Sequence, residues 1–190
     1  ARRENPSAVK ELEGRIQASG EGQVIEQVAY TWFNRFTALQ YMDMNGFNRV
    51  RVIAPADGQT RPEILSEAAA GMFNDDLVSG NTQNIVGALL DGRTASNDPE
   101  NEAYRHLVVS ACNYWHKSMP YMFEKIADFT ELLMPEDLLS TNSILTSLRQ
   151  VMSEDVCKDV EVIGWLYQFY ISEKKDEVFA RPAGKKIEAA

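Results

Sequence analysis

Few residues in this chain have the types and spacing to carry chemistry. His106 and His116 are the only histidines among 190 residues. On one helix, ten positions place them about 80° apart around the axis. That misses the i, i+4 geometry of a paired metal site, and no Cys, Asp or Glu stands at a characteristic spacing as a third ligand. Both read as structural or surface histidines. Cys112 and Cys157 lie far apart without a disulfide framework and read as free thiols of a reducing compartment. Cys157, expected near a helix N-terminus that would lower its pKa, is the more reactive candidate. With no His or Asn partner in a recognisable motif, small buried hydrophobe is the better account of both. Gly20-Glu21-Gly22 follows a helix, so it is not the strand–glycine–helix signature of a dinucleotide site, and no Gly-Lys-Ser phosphate loop occurs. No catalytic, cofactor-binding or metal-binding constellation stands out.

One acid is out of pattern. Asp43 shares the wheel angle of Ile25, Trp32 and Phe36, one turn beyond Leu39. Either the helix has left the core there and Asp43 caps or salt-bridges, or Asp43 makes a partner contact or a buried hydrogen bond. The aromatic clusters around Tyr30-Trp32-Phe33 and Trp165-Tyr167-Phe169-Tyr170 invite base stacking. They sit in strongly apolar helices and read as core. Arg35 at the edge of its apolar stripe, and Lys174 and Lys175 after the last one, are the expected outward contacts.

The elements that must position these residues are nearly all helical. Pro6 to Ala18 suggests a short helix ended by the loop 19–22. From Val24 to Met44, Ile25, Val28, Ala29, Trp32, Phe36 and Leu39 recur at three- and four-residue steps and form one stripe. Asn45-Gly46 stops that helix. Arg49 to Ala54 alternates enough for a short strand, an extended connector or one arm of a small hairpin, before the turn at Asp57-Gly58. Thr60-Arg61-Pro62-Glu63 has capping-box form and predicts a helix to about Phe73. The stretch 81–91 is ambiguous, and 91–99 is a polar loop. Asp98-Pro99-Glu100 opens a helix with Ala103, Leu107, Ser110, Ala111 and Tyr114 inward. Pro120 and Pro135 predict helices over 120–133 and 135–140, followed by one over 142–152. Ser153 caps a final long helix over about 154–178, apolar nearly all round from Val160 to Ile171. The expected fold class is all-α: a bundle-like domain of about eight helices with at most one short β element.

Composition agrees with one helical domain. The chain is 44% hydrophobic and 25% charged, with a formal net charge of −9. Residues 171–190 are nearly neutral, so the body carries the acid, which argues against wrapping nucleic acid unaided. No apolar run is long enough to span a membrane and no secretory leader precedes the body, so a cytoplasmic, bacterial address is expected. The start at Ala1 hints at a piece of something longer.

Two blocks are distinctive: VIEQVAYTWFNRFTALQYMDMNGF over 24–47 and EVIGWLYQFYISEKKDEVF over 161–179. Met119-Pro120-Tyr121-Met122-Phe123-Glu124 and Leu132-Leu133-Met134-Pro135-Glu136-Asp137-Leu138 fall between them in the expected order. Together they resemble the N-terminal region of PglX, the adenine-specific DNA methyltransferase of BREX phage-defence systems. Gln40 stands where the family leads one to expect arginine, and 57–100 carries little of the likeness. The resemblance implies methyl transfer from S-adenosylmethionine to the exocyclic amine of a flipped adenine. It also implies an Asn-Pro-Pro-aromatic loop, which is missing: the only Asn-Pro, Asn5-Pro6, is followed by Ser7. The Phe-Thr-Pro segment placed near the cofactor is missing too, and by resemblance would follow Ala190. The expectation is therefore an N-terminal helical domain over 1–180, with 181–190 starting a linker to an absent catalytic domain. It would serve as a scaffold that docks the catalytic domain and other BREX proteins. The alternatives are a DNA-backbone contact through Arg35, Arg49, Arg51, Lys174 and Lys175, or a stand-alone helical adaptor or unrelated enzyme.

Overall fold

The structure, a computed structural model, describes residues 6–120, 122–123, 126, 129–162 and 164. Eight helices run through the described residues: α1 (Pro6–Ser19), α2 (Glu21–Met44), α3 (Glu63–Ala69), α4 (Gly80–Leu90), α5 (Pro99–His116), α6 (Phe129–Leu132), α7 (Ile144–Val151) and α8 (Glu154–Cys157). The one β feature among them is an isolated antiparallel bridge between Pro55 and Pro62. The fold is mainly α, as its periodicity predicts.

α2 is the central element. Val24, Val28, Trp32, Phe36 and Leu39 line its buried face at helical spacing. The four-residue loop expected before it shrinks to Gly20, whose φ of +89° is open to glycine at little cost. Gly46, at φ +67°, ends the helix where expected. α4 and α5 form the best-packed pair, and α3 rests on both. Asp98 caps α5 by accepting the Asn101 N–H at 3.2 Å, with Pro99 in the first turn. Ala103, Tyr104, Leu107, Val108, Ala111 and Cys112 are completely buried along its inner side. Ser110 and Tyr114, expected inward, are only half-buried.

Several expected elements are corrected. α3 ends at Ala69 rather than near Phe73, and no side chain caps it. The capping-box glutamate, Glu63, instead accepts the Arg51 N–H at 2.9 Å. The ambiguous 81–91 stretch is α4, capped by Ser79. Helices over 120–133 and 135–140 do not form: only α6 is helical among the described residues of both stretches. Helix-borne side chains hold this irregular path instead. Asn113 donates to Ile126 O at 3.1 Å and accepts the Ile126 N–H at 2.7 Å. Asn101 accepts the Leu138 N–H at 3.0 Å and donates to Glu136 O. Trp32 donates through Nε1 to Thr130 O at 2.8 Å. The backbone polar groups that a helix would satisfy internally are thus met from α2 and α5. The final helix, begun by Ser153, is interrupted over 158–160, and most of the 154–178 range lies outside the described residues.

Candidate functional site

The C-terminal half of α2 forms one wall of a polar cleft, and its out-of-pattern acid is the organising group. Asp43 is 3% exposed. Its Oδ1 accepts from Asn48 Nδ2 at 2.6 Å and the Val52 N–H at 2.9 Å, and its Oδ2 from the Ile53 and Ala54 N–H groups at 2.6 and 2.9 Å. The buried hydrogen bond foreseen for Asp43 is what the structure contains; the salt bridge is not, because all four donors are neutral amides. Burial pushes its carboxyl pKa up, while the four donors pull it down. Each oxygen already accepts two bonds, which leaves no free lone pair for proton abstraction. Asp43 therefore organises structure.

The same contacts explain why residues 49–54 are not a strand. In a strand, successive N–H groups point to opposite sides. Here three consecutive N–H groups converge on one carboxylate. The remaining backbone groups are met individually: Ile64 N–H donates to Arg51 O at 3.0 Å, Tyr104 OH to Val52 O at 2.9 Å, and Glu63 N–H to Ala54 O at 3.1 Å. Asn48 Oδ1 accepts from Trp115 Nε1 at 2.9 Å, tying the cluster to α5.

The cleft in front of this cluster has a volume of about 800 Å³ and is lined in part by Gln40, Arg49, Arg51, Asp57, Glu63, Arg149 and Glu154. Arg49 is exposed. Arg51 is pinned, donating through Nη1 to Pro55 O at 2.9 Å and Asp57 Oδ1 at 3.1 Å. Arg149, which no spacing in the sequence singles out, donates to Thr146 Oγ1 at 3.1 Å. With Asp43, four carboxylates and three guanidiniums line one space.

A second groove, also about 800 Å³, runs along the N-terminal half of α2. Its floor is Val28, Trp32 and Phe36, the last two stacked at 5.4 Å. Its far side is Leu133, Pro135 and Ile144. Ile25, expected in the core stripe, is 52% exposed, and Ile144 is 42% exposed.

The other candidates are placed as follows. Arg35, expected outward, is 2% exposed, with its guanidinium over the Trp32 ring at 5.0 Å. Its long stem packs inward because α2 is covered on most sides beyond residue 34. Lys174 and Lys175 lie outside the described residues, as does the aromatic cluster 165–170. His106 and His116 are half-buried, and His116 Nδ1 lies 2.8 Å from Phe123 O. No group of three potential metal ligands occurs among the described residues. Cys112 and Cys157 are free and fully buried. Burial pushes the Cys112 thiol to about 12 and raises Cys157 as well, so the helix start does not activate Cys157. No helix among the described residues is long and apolar enough to cross a membrane.

No protein-family pattern matches the chain. It is 36% identical over 169 residues to the adenine-specific methyltransferase BrxX of Escherichia coli O9:H4 (strain HS), a match covering 88% of this chain. It is 35% identical over 168 residues to the adenine-specific methyltransferase PglX of Lacticaseibacillus casei (strain Zhang), covering 83% of this chain. The matched stretch is 13% of the length of each relative. The resemblance drawn from the two sequence blocks is borne out.

Proposed function

We propose, from the premise that this chain is a PglX-like segment similar to BrxX and PglX over most of its length, that it is the N-terminal helical scaffold and docking domain of a site-specific adenine DNA methyltransferase. In this reading the whole enzyme uses S-adenosylmethionine and acts in bacterial phage defence, and this domain is itself non-catalytic. One observation carries the reading: most of the chain matches only about an eighth of each methyltransferase. The chemistry of the described residues supports it. Asp43 is saturated with donors, both thiols are buried and held protonated, and the chain has no Asn-Pro-Pro-aromatic loop to receive a flipped base. What it offers instead is concave surface.

The test is reconstitution. A PglX-type methyltransferase lacking the segment is co-expressed with this chain and assayed for adenine methylation with S-adenosylmethionine. The reading expects the two pieces to co-purify and activity to rise over the truncated enzyme alone. Methylation by the 190-residue chain by itself, or failure of the pieces to associate, would refute it.

DNA-backbone contact is the second reading, favoured by Arg49, Arg51 and Arg149 converging on one cleft. The four carboxylates beside them work against a polyanion. Phosphate contacts require affinity for duplex DNA that falls steeply with salt and weakens on Arg49→Ala. Absence of binding at 50 mM salt would eliminate this reading.

A further inference from the structure

Asn45-Gly46 is the only Asn-Gly pair in the sequence, and it stands at the end of α2, against the start of α8. The glycine is dictated by the fold, because its φ of +67° is the left-handed turn that ends α2. A glycine after an asparagine also leaves its own backbone nitrogen unshielded by a side chain. Attack of that nitrogen on the asparagine side-chain carbonyl carbon closes a five-membered succinimide ring. In the folded chain both partners of this reaction are held back. Asn45 Nδ2 donates to Tyr41 O at 2.9 Å and to Cys157 O at 3.0 Å, so both of its hydrogens are engaged. Both partners are carbonyl oxygens, which only accept, and they fix which way the amide faces. The Gly46 N–H donates to Asp43 O at 3.3 Å. Ring closure further needs Gly46 N and the carbonyl carbon, Cα and Cβ of Asn45 near one plane. At a ψ of 5° the Gly46 nitrogen is turned away from the Asn45 side chain.

We propose that Asn45 is a deamidation site gated by the docking of α8 on α2, and that its conversion makes undocking permanent. When α8 lifts, Cys157 O leaves the amide, and the last turn of α2 is free to fray and rotate about ψ. Gly46 N then attacks Asn45 Cγ. The Cγ–Nδ2 bond breaks, and the amide nitrogen departs as ammonia with the proton that Gly46 gives up. Water opens the ring at either carbonyl, which leaves aspartate or isoaspartate at position 45. Both products place a carboxylate where an amide used to donate. A carboxylate has no hydrogen to offer Tyr41 O or Cys157 O, and it brings negative charge to the negative end of the α2 dipole. Isoaspartate also lengthens the main chain by one carbon just ahead of Asn48 and the amides that Asp43 holds. The bond that guards Asn45 is therefore the bond that its conversion destroys.

The test incubates the 190-residue chain at pH 8 and 37 °C, in buffer and in 6 M guanidinium, and follows Asn45 by peptide mapping through the amide-to-acid mass gain. Conversion is expected to be at least tenfold slower in buffer than in guanidinium. Gln40→Ala removes the neighbouring bond to Met152 O, and is expected to raise the rate in buffer at least threefold while leaving the guanidinium rate unchanged. Should that variant lose its fold, Ser153→Ala, which removes the exposed cap of α8, replaces it under the same expectation. Chains converted at Asn45 are then separated from unconverted ones by anion exchange, and both are treated with an aromatic disulfide reagent. Cys157, buried in the parent chain, is expected to react at least tenfold faster in the converted fraction, with Cys112 protected in both. Equal rates in buffer and guanidinium, or no conversion in guanidinium, overturn the proposal. So does a folded latch variant that converts at the wild-type rate. Equal labelling of Cys157 in the two fractions overturns it as well, because conversion would then leave α8 docked.

Discussion

Replacing Asp43 by asparagine keeps the side chain's shape and changes one acceptor oxygen into a donor. In the native arrangement each carboxylate oxygen receives two N–H groups. Whichever way the new amide turns, its NH2 faces two donors, and two buried N–H groups lose their acceptor. Leaving a buried donor unsatisfied costs about 1–3 kcal/mol, so the pair amounts to roughly 2–6 kcal/mol. Against a total stability of about 5–15 kcal/mol that is a large fraction. The assay is urea unfolding followed by tryptophan fluorescence, since Trp32 and Trp115 both lie in the packed body. With a urea slope of about 2–3 kcal/mol per molar, the midpoint should fall by about 0.7–3 M. Asn48→Ala, which removes one of the four donors and the acceptor of Trp115, should fall between Asp43→Asn and wild type. Asp57→Asn breaks only an exposed pair with Arg51 and should stay within about 0.5 kcal/mol. If Asp43→Asn unfolds within about 0.5 kcal/mol of wild type, the carboxylate is not what holds the 48–54 connector.

The helix caps make a paired test: Ser143→Ala should cost about 1 kcal/mol because its hydroxyl accepts the Thr146 N–H, whereas Thr60→Ala should cost almost nothing. Urea midpoints check both, and equal losses would contradict the cap assignments. Leu107→Ala, at a fully buried site of α5, should cost about 2–5 kcal/mol by the same measurement. Cys112 supplies a pH dependence. Its thiol lies at about 12 in the folded chain against an ordinary 9.0, so the native state binds the proton more tightly than the unfolded state. The stability linked to this group is complete below pH 9 and is lost as pH climbs toward 12, with a limiting slope of about 1.4 kcal/mol per unit. Subtracting the pH profile of Cys112→Ala isolates it, and identical profiles would refute the argument. At pH 8 an aromatic disulfide reagent should leave both thiols untouched until urea unfolds the chain, because both are buried.

The elements legible in the sequence are those whose determinants are local. α2 and α5 follow from apolar spacing and from Asp98-Pro99, signals contained within one helix. α4 was open to a closer reading: Ser79 before Ile85, Val86, Leu89 and Leu90 is a capped amphipathic pattern. The 118–142 path was not legible, because prolines there suggest helix starts while the competing partners sit on distant helices. Asn101 reaches Leu138 across 37 positions and Trp32 reaches Thr130 across 98, separations that leave no periodic trace. At the candidate sites, Asp43 announced itself by lying on an apolar face, but its donors did not. Arg35 misled because a wheel edge says nothing about what packs beyond it. Arg149 carries no signal at all until α7 is placed beside α2.

Two amides on α2 set the order in which this unit can be completed. Gln40 donates to Met152 O and Asn45 to Cys157 O, each across 112 positions. The length-dependent part of closing such a loop is about 4 kcal/mol, against about 2 kcal/mol for the ten-residue reach from Asp43 to its amides. The connector can therefore settle against α2 as soon as both have been synthesised. The α7–α8 latch cannot: its acceptors leave the ribosome only after about a hundred further residues. Until they emerge, the end of α2 that bears Gln40 and Asn45 stands open, and a nascent chain halted before Met152 would present a half-built surface to chaperones and proteases.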